Sequence, residues 1–200
     1  IKLFYRKRNV DKINIFIIGD GVGSDSIFLK DVFGDKVNIY YFDIPGSKTF
    51  EFALKRFKKY EVKINIIKNE DEIPLNFFDV VISLEVLEHL PDPVDAITKM
   101  SNYLKIGGIA LVTESFSSIN SFFPTHLKSN FKYSFKIPFM FLSKHLLMCY
   151  YPREWPFGRP MEFVKISKVK FLDWVKLMKQ DILLPFVLFT IKRYLKRLIS

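Results

Sequence analysis

The 200-residue sequence predicts an α/β fold in which a mostly parallel, doubly wound sheet carries helices on both faces, with a helical extension at the C-terminus. Two observations lead to this prediction. Short apolar, β-branched runs alternate with segments whose apolar residues recur at helical spacing, which is typical of βαβ units. The first run, residues 13–18, is apolar almost throughout and stops at glycines, as expected of a strand buried on both faces.

The elements that follow repeat this alternation. Residues 24–33 have the spacing of a helix, and residues 37–42 form a second strand that ends at Asp43. Next come a helix that begins after Ser47, strands at 62–67 and 78–83, a helix through Val94 and Leu104, and a strand at 109–113 entered through a turn at Gly107 and Gly108. Residues 115–160 lack a clear period and are interpreted as loops and short helices with room for one strand. A late strand is expected at 161–167, and helices are expected at 168–180 and 183–198.

Composition restricts the function classes. Hydrophobic residues make up 49% of the chain and charged residues 26%, which indicates a globular protein. The net charge of +10 is spread along the chain as lysine more than arginine, so a nucleic-acid partner is not expected. One cysteine, Cys149, excludes a disulfide framework within the chain and fits a reducing, cytoplasmic location. No signal peptide is predicted.

A glycine loop, Gly19-Asp20-Gly21-Val22-Gly23, directly follows the first strand. Glycines there allow positive φ and a close approach of the backbone to a ligand, and we expect free N–H groups at the start of the next helix. A dinucleotide site needs Gly-x-Gly-x-x-Gly, but its third glycine position is Ser24. Gly-x-Gly-x-Gly instead favours S-adenosylmethionine (SAM). Asp43 can accept ribose hydroxyls from either ligand and does not separate them.

Residues 78–93 carry the more specific signal. They read Phe-Asp-Val-Val-Ile-Ser-Leu-Glu-Val-Leu-Glu-His-Leu-Pro-Asp-Pro, and residues 104–108 read Leu-Lys-Ile-Gly-Gly. Over roughly residues 12–130 the order and spacing of these motifs resemble the class I SAM-dependent methyltransferases, especially the ubiquinone-biosynthesis O-methyltransferase group. The resemblance implies a Rossmann-like fold and a methyltransferase activity with SAM as cofactor and S-adenosylhomocysteine as product.

The resemblance also implies roles for individual residues in cofactor binding. Gly19, Gly21 and Gly23 would line the methionine and ribose, with Asp20 beside them. Asp43 would bind the ribose hydroxyls and Ile44 would pack on the adenine. Asn69 and Glu70 would reach the adenine amino group, whereas Leu84 and Glu85 would flank the methionine portion and the sulfonium.

One position departs from the family pattern. The family usually has an acidic residue two positions before the first glycine, where it helps to hold the methionine amino group, and here that position is Ile17. Asp20 is the nearby acid that we consider as a substitute. Ile17 also favours the alternative function, a catalytically inactive SAM-fold module that serves as a binding or partner subunit.

The acceptor is predicted to be a small molecule, or a lipid- or glycan-linked compound, methylated at oxygen. Methyl transfer to oxygen benefits from a general base, and the candidates are His89 in the recognised motif and His126 in the loop region after the fifth strand. The three histidines lack His-x-x-x-His spacing, so no metal is expected.

The chain is interpreted as a single domain over residues 1–200. Its core covers about 12–115, an acceptor-side cover 116–160 and a helical tail 165–200. Residues 182–191 are strongly apolar and are followed by Lys192, Arg193, Lys196 and Arg197. This run is too short to span a bilayer, but residues 182–199 are a candidate for peripheral contact with the inner face of the membrane.

Overall fold

The computed structural model describes residues 11–134, 136–150 and 160–177, together with Val187, Leu188 and Ile191. Within these residues lie seven strands: β1 (Ile13–Ile18), β2 (Val37–Phe42), β3 (Asn65–Ile66), β4 (Phe78–Leu84), β5 (Leu104–Thr113), β6 (Leu146–Tyr150) and β7 (Met161–Lys165). The same residues contain the helices α1 (Ser24–Phe33), α2 (Lys48–Lys59), α3 (Pro93–Tyr103), α4 (Ile137–Leu142) and α5 (Phe171–Leu177).

All seven strands belong to one sheet of order β3-β2-β1-β4-β5-β7-β6. Strands β1 to β5 are parallel, whereas β7 is antiparallel to both β5 and β6. The prediction of a mostly parallel, doubly wound sheet is therefore confirmed. The strand order reverses between β1 and β4, and ligands of open α/β sheets bind outside the carboxyl ends of the strands at such a point.

The side chains of β1 alternate between two apolar layers. Ile15 and Ile17 pack with residues of α1, β2 and β4 on one face of the sheet. Phe16 points to the other face, where its ring stacks on Phe78 at a centroid distance of 4.8 Å and meets Tyr103 of α3 edge-on. Because helices cover both faces, the strand must be apolar at nearly every position, which explains the continuous apolar run.

Two helices begin at the capping residues that their sequences offer. Ser47 precedes α2, and its Oγ accepts a hydrogen bond from the backbone N–H of Phe50 at 3.1 Å. Asp92 precedes α3, and its carboxylate accepts from the N–H groups of Val94 and Asp95, both at 3.0 Å, with Pro93 in the first turn. These caps satisfy donors that a helix leaves unpaired at its start.

Several predicted boundaries are corrected. Gly107 and Gly108 do not form a turn before β5 but lie inside it, at the irregularity where the β4–β5 register shifts between Phe78 and Val80, with Gly107 at φ 77°. β3 is only two residues long, and α5 begins at Phe171 rather than at 168, while residues 178–180 of the helix predicted at 168–180 lie outside the described residues. The helix predicted at 183–198 lies outside the described residues except for Val187, Leu188 and Ile191.

The region after Glu114 adds two strands to the sheet. The strand predicted at 161–167 is β7, and β6 is the one strand for which residues 115–160 had room. No helix in the described parts of the chain is long and apolar enough to cross a membrane.

Candidate functional site

The glycine loop lies at the carboxyl end of β1, where the sheet order reverses. Gly19, Gly21 and Gly23 all have positive φ, at 71°, 55° and 76°. A Cβ on Gly19 would lie 2.6 Å from Cγ2 of Val86, and one on Gly23 would lie 2.4 Å from the Phe57 ring, so packing as well as backbone conformation requires glycine there. A Cβ on Gly21 would meet nothing within 4 Å. The backbone at Gly21 is therefore open to a ligand.

Asp20 has a different role from the one expected. Its carboxylate accepts hydrogen bonds from the N–H groups of Asp25 at 2.9 Å and Ser26 at 2.8 Å, in the first turn of α1. Burial raises the pKa of Asp20 above its ordinary value, and these hydrogen bonds oppose that rise. Two corrections follow: the side chain of Asp20 is directed at the helix rather than toward a ligand, and the N–H groups it binds are not free. Contact of its backbone with the cofactor stays a prediction.

Asp43 is held against the glycine loop. One carboxylate oxygen accepts from the N–H of Gly21 at 2.6 Å, and the other accepts from the N–H of Ile44 at 2.7 Å. A carboxylate has about four lone-pair sites, so the group can still accept two ribose hydroxyls. The Ile44 side chain is 73% exposed, which leaves an apolar surface beside this carboxylate.

Hydrogen bonds to two backbone carbonyl oxygens also hold the glycine loop in place. The hydroxyl of Tyr41, buried in β2, donates to the carbonyl oxygen of Gly21 at 2.7 Å. Burial raises the pKa of Tyr41, and the carboxylates of Asp43 and Asp20 raise it further, so the phenol stays a donor. Arg56 of α2 donates to the carbonyl oxygen of Val22 at 2.7 Å. The loop is therefore formed before any ligand arrives.

Asn69 and Glu70 lie after β3, at the same edge of the sheet. The side-chain amide of Asn69 donates to Glu72 at 2.6 Å. The Glu70 carboxylate receives Lys99 at 2.7 Å and the Tyr103 hydroxyl at 3.1 Å. Their contact with an adenine stays a prediction, and Glu70 would have to share its carboxylate with those two partners.

Leu84 ends β4, next to β1, and Glu85 directly follows it. Leu84 is partly exposed, and Glu85 has φ 53°, a conformation that costs free energy for a residue with a Cβ. Its N–H donates to the Thr113 hydroxyl at 3.0 Å, and its carboxylate accepts a hydrogen bond from the Ser115 hydroxyl. The exposed carboxylate of Glu85 is therefore held in position by contacts with Thr113 at the end of β5 and with Ser115 just after it.

Both predicted base candidates are found together. The rings of His89 and His126 meet edge-to-face with centroids 4.8 Å apart, and Phe123 stacks on His126 at 4.9 Å. Nδ1 of His126 is 2.7 Å from the carbonyl oxygen of Ser118, and Nδ1 of His89 is 3.2 Å from that of Thr125. Burial lowers the pKa of His126, and the neighbouring His89 lowers it further, although the carbonyl oxygen of Ser118 opposes the shift.

Glu88 is a residue of this cluster that the sequence analysis missed. It is 0% exposed, its Oε1 is 4.0 Å from Nε2 of His126, and burial raises its pKa, with the neighbouring carboxylates of Glu85 and Glu114 adding to the rise. An acid in an apolar segment is normally assigned to a solvent-facing position. Only its place inside the Glu-Val-Leu-Glu-His-Leu stretch could have drawn attention to it.

The expectation that no metal binds was based on sequence spacing. The fold brings Glu88, His89 and His126 together from two segments, and one ligand atom from each lies within 4.8 Å of the others. Local spacing could not show this arrangement. The absence of a metal therefore stays a prediction.

Known proteins that resemble this chain are methyltransferases or share their fold. Residues 16–110 match the model of a methyltransferase domain family. A ubiquinone biosynthesis O-methyltransferase of Shewanella sp. (strain ANA-3) is 32% identical over 84 residues, which are 40% of this chain and 36% of the relative. The matched part therefore spans about a third of that curated relative.

Solved structures share the fold. A SAM-dependent methyltransferase from Aquifex aeolicus superposes with a TM-score of 0.61 and 14% identity over 79% of this chain and 85% of that one. The chain thus matches a methyltransferase domain family over residues 16–110 and has the fold of a SAM-dependent methyltransferase. The [4+2]-cyclase SpnF is also similar in fold, with a TM-score of 0.53 and 16% identity over 74% of this chain and 56% of that one. Because both identities are low, these structures support the fold of this chain and neither its reaction nor its acceptor.

Proposed function

We propose that this protein is a methyltransferase that binds SAM at the glycine loop and transfers its methyl group to an oxygen of a small-molecule, lipid-linked or glycan-linked acceptor. The observation that carries the proposal is the preformed loop, in which Gly21 is open to a ligand and its N–H is bound to the Asp43 carboxylate. SAM supplies a methyl group on a sulfonium, which is a good leaving group. The chain's own contribution is to hold the cofactor, orient the acceptor and take its proton.

The residues present fit this cofactor. Asp43 retains lone pairs for the two ribose hydroxyls, and the exposed Ile44 offers apolar surface to the adenine. The Glu85 carboxylate, fixed by Ser115, would lie beside the cationic sulfonium and attract it. Ile17 is 1% exposed within the apolar layer, so the methionine amino group would depend on the loop backbone and Glu85 rather than on an acid at that position.

The acceptor would enter over the segment that carries His126. Phe122 is 87% exposed and Phe123 42% exposed, and the latter stacks on His126. Exposed aromatic rings beside two imidazoles suit an acceptor with an apolar portion and a hydroxyl group. Phe116, also in this segment, is buried and belongs to the core.

Titration calorimetry with S-adenosylhomocysteine tests cofactor binding. Asp43→Ala should weaken binding by about 1.5–3 kcal/mol, the value of hydrogen bonds to a charged group, which is roughly tenfold to a hundredfold. Asp31→Ala, which removes an exposed carboxylate of α1, is the matched control and should bind like the wild type. A wild type that does not bind, or an Asp43→Ala variant that binds equally well, would overturn the proposal.

We propose further that the C-terminal region contacts an anionic membrane surface, at the cytoplasmic face. Phe171 and Leu172 of α5 are 80% and 65% exposed, and Val187, Leu188 and Ile191 are also exposed. Lys168 and Lys170 lie beside α5, and four basic residues follow at 192–197. Apolar side chains next to lysines are the pattern of interfacial binding.

Co-sedimentation with vesicles tests this contact. The protein should sediment with vesicles that contain phosphatidylglycerol and not with pure phosphatidylcholine. Deleting 182–200, or changing Phe171 and Leu172 to serine, should abolish sedimentation. Leu75→Ser is the matched control, because Leu75 is 65% exposed, like Leu172, but lies before β4. Unchanged sedimentation of the deletion variant would exclude the contact.

A further inference from the structure

Most backbone N–H groups of the glycine loop are already used within the protein. Three of the five donate to two backbone carbonyl oxygens and to the Asp43 carboxylate, and these donors belong to Gly19, Gly21 and Gly23. The N–H groups of Asp20 and Val22 make no hydrogen bond in the part of the chain that the structure describes. The loop therefore retains backbone donors that a ligand can use.

Tyr41 of β2 contacts the loop from a position that the sheet and α2 fix. Its backbone pairs with Ile17 of β1 on one side and with Ile66 of β3 on the other. Its side chain is buried, and its ring packs edge-on against Phe57 of α2 at a centroid distance of 5.2 Å. Its hydroxyl donates to the carbonyl oxygen of Gly21 at 2.7 Å. A buried strand residue thus determines where one carbonyl group of the loop points.

The direction of that carbonyl group also sets the direction of the Val22 N–H, because both belong to one peptide unit. A trans peptide is planar, and its C=O and N–H bonds point in opposite directions. The carbonyl oxygen of Gly21 is held at the hydroxyl of the buried Tyr41, so the N–H of Val22 points away from it. Val22 is only half-buried. Its N–H group is therefore directed out of the core.

The next peptide unit is held in the same way. The carbonyl oxygen of Val22 accepts a hydrogen bond from Arg56 of α2 at 2.7 Å. On the opposite side of that unit, the N–H of Gly23 donates to the carbonyl oxygen of Asp20 at 3.0 Å. Two successive peptide units of the loop are thus fixed, and the Val22 N–H is the donor that they leave directed away from the core.

The chemistry of an N–H group limits what it can bind in SAM. An N–H only donates, and at the methionine end of the cofactor the carboxylate accepts hydrogen bonds whereas the ammonium group only donates. A hydrogen bond from a backbone N–H to a carboxylate is strong because its acceptor is charged. The Val22 N–H therefore suits the carboxylate of the methionine portion.

We infer that Tyr41 is a positioning residue that turns the Val22 N–H toward the carboxylate of the cofactor's methionine portion, and that it thereby favours SAM over ligands without this carboxylate. The inference rests on the proposed function, in which the glycine loop binds SAM. Tyr41 acts through the loop and not by contact with the cofactor, because its hydroxyl is bound to Gly21 and its ring is buried.

Titration calorimetry with two ligands tests the inference. The ligands are S-adenosylhomocysteine and its decarboxylated analogue, in which a hydrogen atom replaces the carboxylate. Tyr41→Phe should weaken binding of S-adenosylhomocysteine about fivefold, the value of one net hydrogen bond, and should leave binding of the analogue unchanged. Tyr40→Phe is the matched control, because Tyr40 also lies in β2 but packs on the other face of the sheet, against Phe77 and Phe78. It should bind both ligands like the wild type.

The ratio of the two affinities separates a positioning role from a merely structural one. A structural role of Tyr41 would weaken both ligands equally, and that result would overturn the inference, as would a Tyr41→Phe variant that binds S-adenosylhomocysteine like the wild type. If the wild type binds neither ligand, the proposed function fails and the inference fails with it. Equal losses after normal wild-type binding reject the inference alone.

Nuclear magnetic resonance of the ¹⁵N-valine-labelled wild type gives a readout that needs no variant. Addition of S-adenosylhomocysteine should move the Val22 amide proton downfield, as expected for a new hydrogen bond to a carboxylate, and the decarboxylated analogue should not. A Val22 signal that moves equally with both ligands, or that does not move with S-adenosylhomocysteine, would contradict the inference.

Discussion

The backbone N–H of Gly21 donates to the carboxylate of Asp43 at 2.6 Å, and this hydrogen bond joins the end of β1 to the end of β2. The N–H of Gly19 donates to the carbonyl oxygen of Phe42 at 2.8 Å on the same side of the loop. The residue proposed to bind the ribose is thus also the residue that fixes the loop, so cofactor affinity and loop order should change together.

We expect Gly19→Ala to destabilise the fold through a steric contact with Val86, because the added Cβ would lie 2.6 Å from Cγ2. The free energy of unfolding should fall by about 1–3 kcal/mol, as for other overpacked sites. Urea denaturation of Gly19→Ala, Gly21→Ala and the double variant Gly19→Ala/Val86→Ala measures it. Gly21→Ala adds the same backbone strain but no contact, so it should lose only about 1 kcal/mol, and removing the Val86 side chain should recover part of the Gly19→Ala loss. Equal losses for both single variants would contradict the steric explanation.

Asp20→Ala should act on stability rather than on cofactor binding. Its carboxylate caps α1 through the N–H groups of Asp25 and Ser26, and loss of a cap costs about 0.5–2 kcal/mol. Thermal unfolding and calorimetry with S-adenosylhomocysteine on the same preparation separate the two effects. A variant of unchanged stability that binds much more weakly would show that the carboxylate contacts the cofactor after all.

Glu85→Gly should show that the effect of Glu85 on folding stability is separate from its proposed effect on binding the positively charged SAM. Glycine relieves the φ of 53°, and the free energy of unfolding should stay level or rise by up to about 1 kcal/mol. The carboxylate proposed to lie beside the sulfonium is lost, so the preference for SAM over S-adenosylhomocysteine, which lacks the sulfonium charge, should shrink. Glu61→Gly is the control, because Glu61 has the same φ of 53° on an exposed turn after α2. It should gain stability without changing either affinity, and a similar change of preference in both variants would contradict a direct role of Glu85.

Glu88 should make the stability of the wild type depend on pH. Its pKa rises from an ordinary 4.5 to about 9 in the folded protein, so the folded state retains a proton that the unfolded state has released. Stability should therefore fall as the pH rises between these values. The difference in free energy of unfolding between Glu88→Gln and wild type should grow by more than about 1.4 kcal/mol between pH 6 and pH 8.5, since one pKa unit corresponds to that much. Parallel pH profiles of the two proteins would show that Glu88 does not hold its proton.

The features that the sequence predicted are those determined by neighbours along the chain. The strand at 13–18, the helix at 24–33 and the glycines between them depend on apolar spacing and on backbone conformation, and both can be read locally. Asp43 was found because it directly follows a strand. These residues are also the ones that the fold brings to one edge of the sheet.

The features that the sequence did not predict depend on contacts between distant segments. Glu88 was missed because it is buried under a distant segment: the side-chain amide of Asn130, 42 positions later, donates to its carbonyl oxygen. Asp20 was assigned to the ligand because its preference for the helix N–H groups becomes visible only once the turn is formed. Gly107 and Gly108 resemble a turn in sequence, and only pairing with β4 shows that they accommodate a shift of register.

The ring of Phe57 lies directly beneath Gly23, so close that a methyl group there would overlap it, and the same ring packs edge-on against Tyr41. α2 thereby fixes the distance between the glycine loop and the helix beneath it, although no residue of α2 is proposed to touch the cofactor. Substitutions on the buried side of that helix should then alter SAM affinity at a distance, and relatives with a larger or smaller residue at position 57 should differ in the glycine loop as well.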